Sequence, residues 1–313
     1  MSNNNIDYAK ITEKDVASIY ELALNNGGNK NFTLKNFNHW YLRNPTSSNS
    51  MWKASLNGNT EGYATTNNFI YIINGKENLV ALPQNVLTSE KIRGKGVFGK
   101  LYYLTEEENL NTNGVNLFLT STGAMSTPIF LNKFEYLRAK CPDILAILLN
   151  PFNLLAAKRF KIIEDINDIQ LENVYCLDNS RKKTIDYYKW RYSNCDNKIL
   201  KILEVNDNGK KIGYAFLIIQ KKRGIKTLIL ADMIFSNESD ISKIIDACSV
   251  YSTKKLFPVL IMFRITLSDK KKRFQLSFKN KFNFLIKGKS ENETQLLSEI
   301  PLNYYFGDLD YFW

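Results

Sequence analysis

EKIRGKGVFGKLYYLTEEE, residues Glu90–Glu108, places Gly94, Gly96 and Gly99 within six positions of a 313-residue chain that holds only 15 glycines. A solvent-exposed loop needs one glycine at most. Three of them remove the Cβ atoms that would keep a large anion away from bare backbone. The stretch before the loop, NLVALPQNVLTS (Asn78–Ser89), reads as a strand. The spacing of Val97, Phe98, Leu101 and Leu104 after it predicts a helix. Strand, glycine turn and helix start together aim free backbone N–H groups at one point, where the helix dipole also favours negative charge.

The phosphate ligand can be narrowed. The chain contains no Gly-x-x-x-x-Gly-Lys-Ser/Thr run, which excludes a Walker loop. Gly94-Lys95-Gly96-Val97-Phe98-Gly99 fits the spacing of a dinucleotide fingerprint. That fingerprint, however, requires the first strand of a parallel unit and an acidic residue about 20 positions on. Here hairpin-like strands precede the glycines and Asn113-Gly114 follows the helix, so a nicotinamide dinucleotide is the minor alternative.

The halves of the chain repeat in order. Asn38-His39-Trp40-Tyr41 resembles Tyr188-Lys189-Trp190-Arg191. The turn Asn57-Gly58 leading to Gly62-Tyr63-Ala64 recurs as Asn208-Gly209 leading to Gly213-Tyr214-Ala215. Asn132-Lys133-Phe134 matches Asn280-Lys281-Phe282. A near-constant offset implies a duplicated unit, and length alone suggests two domains. The boundary is expected at residue 150, giving units 1–150 and 151–313. Each unit reads as an asparagine-glycine hairpin, a further strand, a helix and another strand. This is a mixed α/β sheet rather than a doubly wound parallel one. The second unit has an amphipathic helix pattern, Glu238–Tyr251, where the glycine loop would recur. The first unit is therefore expected to bind the anion and the second to support it.

Composition excludes several classes. Four scattered cysteines and a single histidine leave no metal site or disulfide framework to expect. The polar start, MSNNNIDYAK, has no signal core. The most apolar stretch, DILAILLNPFNLLAA (Asp143–Ala157), is interrupted by Asn150, Pro151 and Asn153, so no bilayer span and a cytoplasmic location are expected. The net charge of +11 suits an anionic ligand. The basic runs Lys221–Arg223 and Lys270–Arg273 lack the aromatic interleaving of a nucleic-acid reader. Charge alone fits nucleotide-bearing small molecules, RNA or acidic lipid equally.

Arg93-Gly94-Lys95-Gly96, on a strand-to-helix turn, resembles the acyl-CoA pyrophosphate loop of the GNAT acyltransferase superfamily. Thr120–Phe134, with Ser126-Thr127-Pro128, is similar to the strand end and fourth helix of GNAT proteins from surface-polysaccharide clusters. The repeated Trp blocks and the C-terminal Gly307-Asp308-Leu309-Asp310 are similar to two-domain members. The resemblance implies a tandem GNAT fold whose second unit has a degenerate CoA loop. It covers essentially the whole chain, but only Arg93–Gly99 is specific by itself. Two positions depart from the pattern. Phe98 stands where glycine or alanine is usual and suits an acyl group bulkier than acetyl. Phe130 stands nearest the usual tyrosine acid.

The resemblance implies an N-acyltransferase using acyl-CoA as co-substrate, with no metal. Arg93, Gly94, Lys95, Gly96, Val97, Phe98 and Gly99 would hold the pyrophosphate, with Ser126 and Phe130 beside the donor. Val86, Leu87 and Thr88 would pair with pantetheine, and a free N–H there would polarise the thioester. His39, Asp308 and Asp310 are the catalytic candidates, and Trp40, Tyr41, Arg43 and Arg191 the acceptor-binding ones. His39 also reads as a surface or capping residue and the tryptophans as core anchors. The expected acceptor is a nucleotide-linked amino sugar, specifically a dTDP- or UDP-amino-dideoxy sugar, for a glycan precursor. Two alternatives stay open: a FemAB-like aminoacyltransferase and a non-enzymatic basic module for RNA or lipid.

Overall fold

Asn57 and Gly58 have φ of 52° and 79°, and Asn208 and Gly209 have 50° and 80°. These are the left-handed pairs that a two-residue hairpin turn requires. Gly58→Ala and Gly209→Ala are each expected to destabilise the protein by about 1 kcal/mol, because a Cβ is strained there. Urea unfolding of the two variants should give closely similar losses.

The computed structural model describes residues 5–26, 34–45, 48–156, 159–195, 199–222, 224–265 and 275–309. The first half runs β1 (Ile6–Lys10), α1 (Val16–Asn25), α2 (Leu34–Phe37), a wide helical turn (Asn38–Leu42), β2 (Ser50–Leu56), β3 (Asn59–Ile73), β4 (Lys76–Thr88), α3 (Val97–Asn111), β5 (Leu117–Thr122), α4 (Thr127–Lys133), β6 (Leu137–Arg138) and β7 (Ile144–Leu148). The second half runs β8 (Phe160–Ile163), β9 (Ser180–Arg181), α5 (Ile185–Tyr192), β10 (Leu200–Asp207), β11 (Lys210–Lys222), β12 (Ile225–Phe235), α6 (Ile241–Lys254), β13 (Val259–Phe263), β14 (Gln275–Phe278), β15 (Asn283–Lys287) and α7 (Glu291–Ser298).

Two mixed sheets result. One has the order β1-β2-β3-β4-β5-β15-β6, with β9 added to β3. The other has the order β14-β7-β13-β12-β11-β10-β8. In each, antiparallel hairpins lead to a parallel pair, β4 with β5 and β12 with β13. A bulge follows the same residue of the hairpin in both halves, at Ala54/Ser55 and at Val205/Asn206. The duplicated mixed-sheet reading therefore matches the architecture.

The halves exchange strands across residue 150. β7 leaves the first half to pair with β13, and β15 leaves the second to pair with β5. A cut at that residue would remove β15 and β9 from the first sheet and β7 from the second. The exchange also corrects one repeat match. Phe134 precedes β6 and Phe282 precedes β15, and these strands are not equivalent, since the counterpart of β15 is β7.

The tryptophan match marks the junction. Trp40 and Trp190 stack with ring centroids 5.0 Å apart and planes 19° from parallel. Trp190 Nε1 donates to the His39 carbonyl at 3.1 Å. The largest core cluster runs continuously through residues of both halves, so the halves share one hydrophobic interior.

Candidate active site

β4 and β5 are paired only at Val80 with Leu117 and at Ala81 with Phe118. Pro83 explains why the ladder stops. Its carbonyl accepts from Thr120 Oγ1 of β5 at 2.9 Å, so this edge of the residue faces β5, where proline has no N–H to donate. Further along, Gln84 pairs with Thr65 and Leu87 with Tyr63, which leaves Asn85 and Val86 bulged out of register. β5 meanwhile follows β15 from Phe118 to Thr122. The strands diverge around a cavity of about 290 Å³.

Gln84 and Val86 of β4, Thr120, Ser121 and Thr122 of β5, and Phe98, Ser126 and Phe130 form one side of this cavity. Phe284 of β15, Arg181 of β9, Tyr71, Tyr304, Asp308 and Leu309 form the other. The second half therefore completes a cleft in the first half's sheet. Phe98 and Phe130 pack edge to face at 6.5 Å, and Phe130 is buried.

Phe98, in the first turn of α3, places the glycine turn beside this cleft. Gly94 and Gly96 take φ of 78° and 75°, and a Cβ on either would meet no atom within 4 Å. Gly96 caps α3, and its carbonyl accepts the first intrahelical bond from Lys100 N at 3.1 Å. The N–H groups of Val97, Phe98 and Gly99 precede that bond and have no intrahelical acceptor. A Cβ on Gly99 would collide with the Lys133 side chain, so α4 supplies a cation close to the helix start. Arg93, Lys95, Lys100 and Lys133 are all exposed around the turn.

The inner wall is charged and buried. Lys183 Nζ lies 2.8 Å from Asp232 Oδ1 and 2.9 Å from Asp308 Oδ1, and Arg181 Nε lies 3.5 Å from Asp308. The Arg181 guanidinium sits 4.1 Å over the Phe69 ring and donates to the hydroxyls of Tyr71 and Tyr187. Burial alone would raise the Asp308 carboxyl, but Lys183 and Arg181 bring it below the ordinary aspartate value. Burial raises Asp232 to about 6 in spite of Lys183.

Tyr304 and Ser121 line the cleft, and their buried hydroxyls have no hydrogen-bond partner. The Tyr304 ring packs on Phe284 at 4.3 Å. Burial pushes its pKa well up, with Tyr71, Cys141 and Asp308 adding to the rise and Arg181 opposing it. Sequence reasoning passed over Tyr304, because one tyrosine among 17 carries no spacing signal. Pro83, inside an otherwise regular strand, was the legible pointer to the cleft.

The expected site residues separate into groups. Val86, Phe98, Ser126, Phe130 and Asp308 line the cleft. Leu87 and Thr88 pair with Tyr63 and Gly62 on the β3 side of β4. Val97 is a core residue of α3. His39 lies outside the cleft, stacked on Trp190 at 5.4 Å, with Nε2 2.7 Å from the Trp190 carbonyl. Burial lowers its pKa. Trp40, Tyr41 and Arg191 also lie outside the cleft lining, each 1% exposed. Arg191 spends its guanidinium on the Gly307 and Leu309 carbonyls and on the Trp40 ring. Arg43 is exposed and shares with His39 a separate hollow at the junction. Asp310 lies outside the described residues. Among the described residues, no group of three or more His, Cys, Asp or Glu side chains is placed to hold a metal, and no helix is long and apolar enough to cross a membrane.

No family model matches the chain, and no curated protein is a detectable relative. Solved structures do resemble it. A GCN5-related N-acetyltransferase from Anabaena variabilis superposes with a TM-score of 0.67 at 10% identity, covering 90% of this chain and 72% of that one. A protein from Enterococcus faecalis described as a probable N-acyltransferase gives 0.62 at 12% identity, covering 91% and 72%. Saccharomyces cerevisiae N-myristoyltransferase with bound myristoyl-CoA gives 0.53 at 10% identity, covering 91% and 83%. The fold is therefore that of GCN5-related N-acetyltransferases, consistent with two such units in tandem.

Proposed function

We propose that the protein is an acyl-CoA-dependent N-acyltransferase whose donor lies in the cleft between β4 and β5. The observation that carries this reading is the glycine turn beside that cleft. Gly94 and Gly96 leave open space, the first N–H groups of α3 have no intrahelical acceptor, and four exposed cations surround them. These features fit a pyrophosphate. Parallel strands that stop pairing at Pro83 leave room for a pantetheine arm. The fold likeness to N-acyltransferases, one of them holding myristoyl-CoA, supports the same reading.

In the proposed reaction an amine attacks the thioester carbonyl carbon, forming a C–N bond as the C–S bond breaks. An N–H freed at the Asn85–Val86 bulge polarises the carbonyl oxygen. Tyr304 OH gives its proton to the departing thiolate and regains one from the newly formed ammonium, so the products are amide and free thiol. Burial keeps Tyr304 protonated at neutral pH, and the Arg181 charge eases the transient tyrosinate. Asp308, paired with Lys183 and Arg181, anchors Arg181 and is a positioning residue rather than a base. With Phe130 buried among aromatic rings, Tyr304 replaces the acid that helix α4 would otherwise carry.

The acceptor we propose is the amine of a nucleotide-linked amino sugar, which suits the net charge of +11. Aromatic Phe98 and Phe284 along a cavity of about 290 Å³ suit an acyl chain longer than acetyl. A thiol-release assay of acetyl-CoA and longer acyl-CoAs against dTDP- and UDP-amino sugars tests both points. Turnover with a dTDP- or UDP-amino sugar and preference for a longer chain are expected. Turnover only with simple amines would remove the sugar acceptor and leave the donor assignment standing.

A further inference from the structure

Phe152 and Leu155 of the interrupted apolar stretch and Lys221 of one basic run, separate in sequence, lie toward one end of the second sheet. β12 and β13 run parallel, so Gly224 and Ile225, at the tip of the β11–β12 hairpin, lie at the same end as Leu256 before β13. β7 ends there too, and Leu149 N donates to the Pro258 carbonyl at 3.0 Å. The chain then turns over α6, with Asn153 Nδ2 donating to Ser249 Oγ at 3.0 Å and Lys254 Nζ donating to the Ala156 carbonyl at 2.9 Å. Phe152, Leu155 and Leu256 protrude with 75%, 90% and 74% of their surface exposed.

These side chains stand exposed at this end of the second sheet, whereas folded proteins bury most of their large apolar groups. Lys221, Lys226, Lys254 and Lys255 are exposed on the same segments. No acidic residue occurs in 144–163, 208–231 or 247–265, the stretches that carry these apolar tips and lysines, while the exposed Glu164 and Asp165 follow β8 at the far edge of the same sheet end. We propose that this surface docks on an anionic lipid bilayer, inserting Phe152, Leu155 and Leu256 at headgroup depth while the lysines meet lipid phosphate and carboxylate. Two of the three tips, Leu155 and Leu256, are aliphatic and the exposed cations named are lysines, which favours lipid over RNA, whose recognition draws on stacked aromatic and arginine side chains. The proposal is independent of the donor cleft, which lies in the first sheet.

Flotation of the full chain with phosphatidylcholine vesicles, with and without phosphatidylserine, is the test. Association is expected with the phosphatidylserine vesicles and should weaken with added salt. It should fall roughly tenfold or more both in Phe152→Ser/Leu155→Ser and in Lys221→Glu/Lys255→Glu. All four positions are exposed, so folding should be unaffected, and unchanged far-UV circular dichroism verifies it. Four results would overturn the proposal: no flotation, loss in the charge variant alone, light scattering showing a dimer that Leu155→Ser dissociates, or binding to single-stranded RNA that Phe152→Ser/Leu155→Ser leaves intact.

Discussion

Lys183→Met is expected to destabilise the protein by about 3–5 kcal/mol, because it leaves the Asp232 and Asp308 carboxylates facing each other without their shared cation. Lys183 lies within 2.9 Å of both, and the three side chains are at most 5% exposed. The melting temperature should drop on the order of 10 °C. The pH behaviour has a definite sign. Burial would lower the Lys183 pKa, but Asp232 and Asp308 raise it above the ordinary lysine value. Its contribution is therefore fully present at neutral pH and is lost only as pH rises through that elevated value. Asp308, held below its ordinary value, contributes above that value and loses its contribution as pH falls. Thermal and denaturant unfolding measure the effect. A loss below about 1 kcal/mol would mean that the carboxylates find other partners or take up protons without cost.

Tyr304→Phe is expected to lower kcat by roughly 10²–10³-fold, the contribution of a positioned general acid. The Tyr304 hydroxyl is buried beside the cleft with no hydrogen-bond partner, so its removal leaves no orphaned group and should not cost stability. The KM for acyl-CoA should stay within about twofold, since the turn and the β4 bulge are untouched. Thiol release at saturating donor measures it. An unchanged kcat would assign Tyr304 to packing against Phe284 and pass the proton to another group. Phe130→Tyr offers a complementary comparison, because it adds a hydroxyl on α4 while Tyr304 stays in place.

The sequence made the scaffold legible for physical reasons. Asparagine-glycine pairs favour tight hairpins, and Asn57-Gly58 and Asn208-Gly209 form them, whereas Asn113-Gly114 follows the end of α3. The strand-turn-helix around Gly94 and Gly96 could be read because left-handed backbone selects glycine. The strand exchange could not, because β7 and β15 are short apolar segments that would fit the edge of either sheet. The tryptophan blocks allowed two readings, core anchor and acceptor contact, for a related reason. Duplication repeats whatever the junction needs as readily as whatever a ligand needs, and Trp40, Trp190 and Arg191 serve the junction. The Arg181–Lys183–Asp232–Asp308 cluster joins β9, the chain just after it, β12 and the C-terminal segment. No local pattern links those positions.

Calorimetric titration of CoA into the wild-type protein, Gly96→Asn and Gly96→Trp tests the central claim most directly. Asparagine tolerates the left-handed conformation that Gly96 adopts at φ 75°, so that variant separates backbone strain from obstruction. Micromolar binding by the wild type is expected, with only a modest loss in Gly96→Asn. A loss of roughly 100-fold or more is expected in Gly96→Trp, where the indole fills the open space over the turn and displaces charge-assisted contacts to the N–H groups. No binding by the wild type, or equal binding by all three proteins, would contradict the account and remove the glycine turn as a donor site.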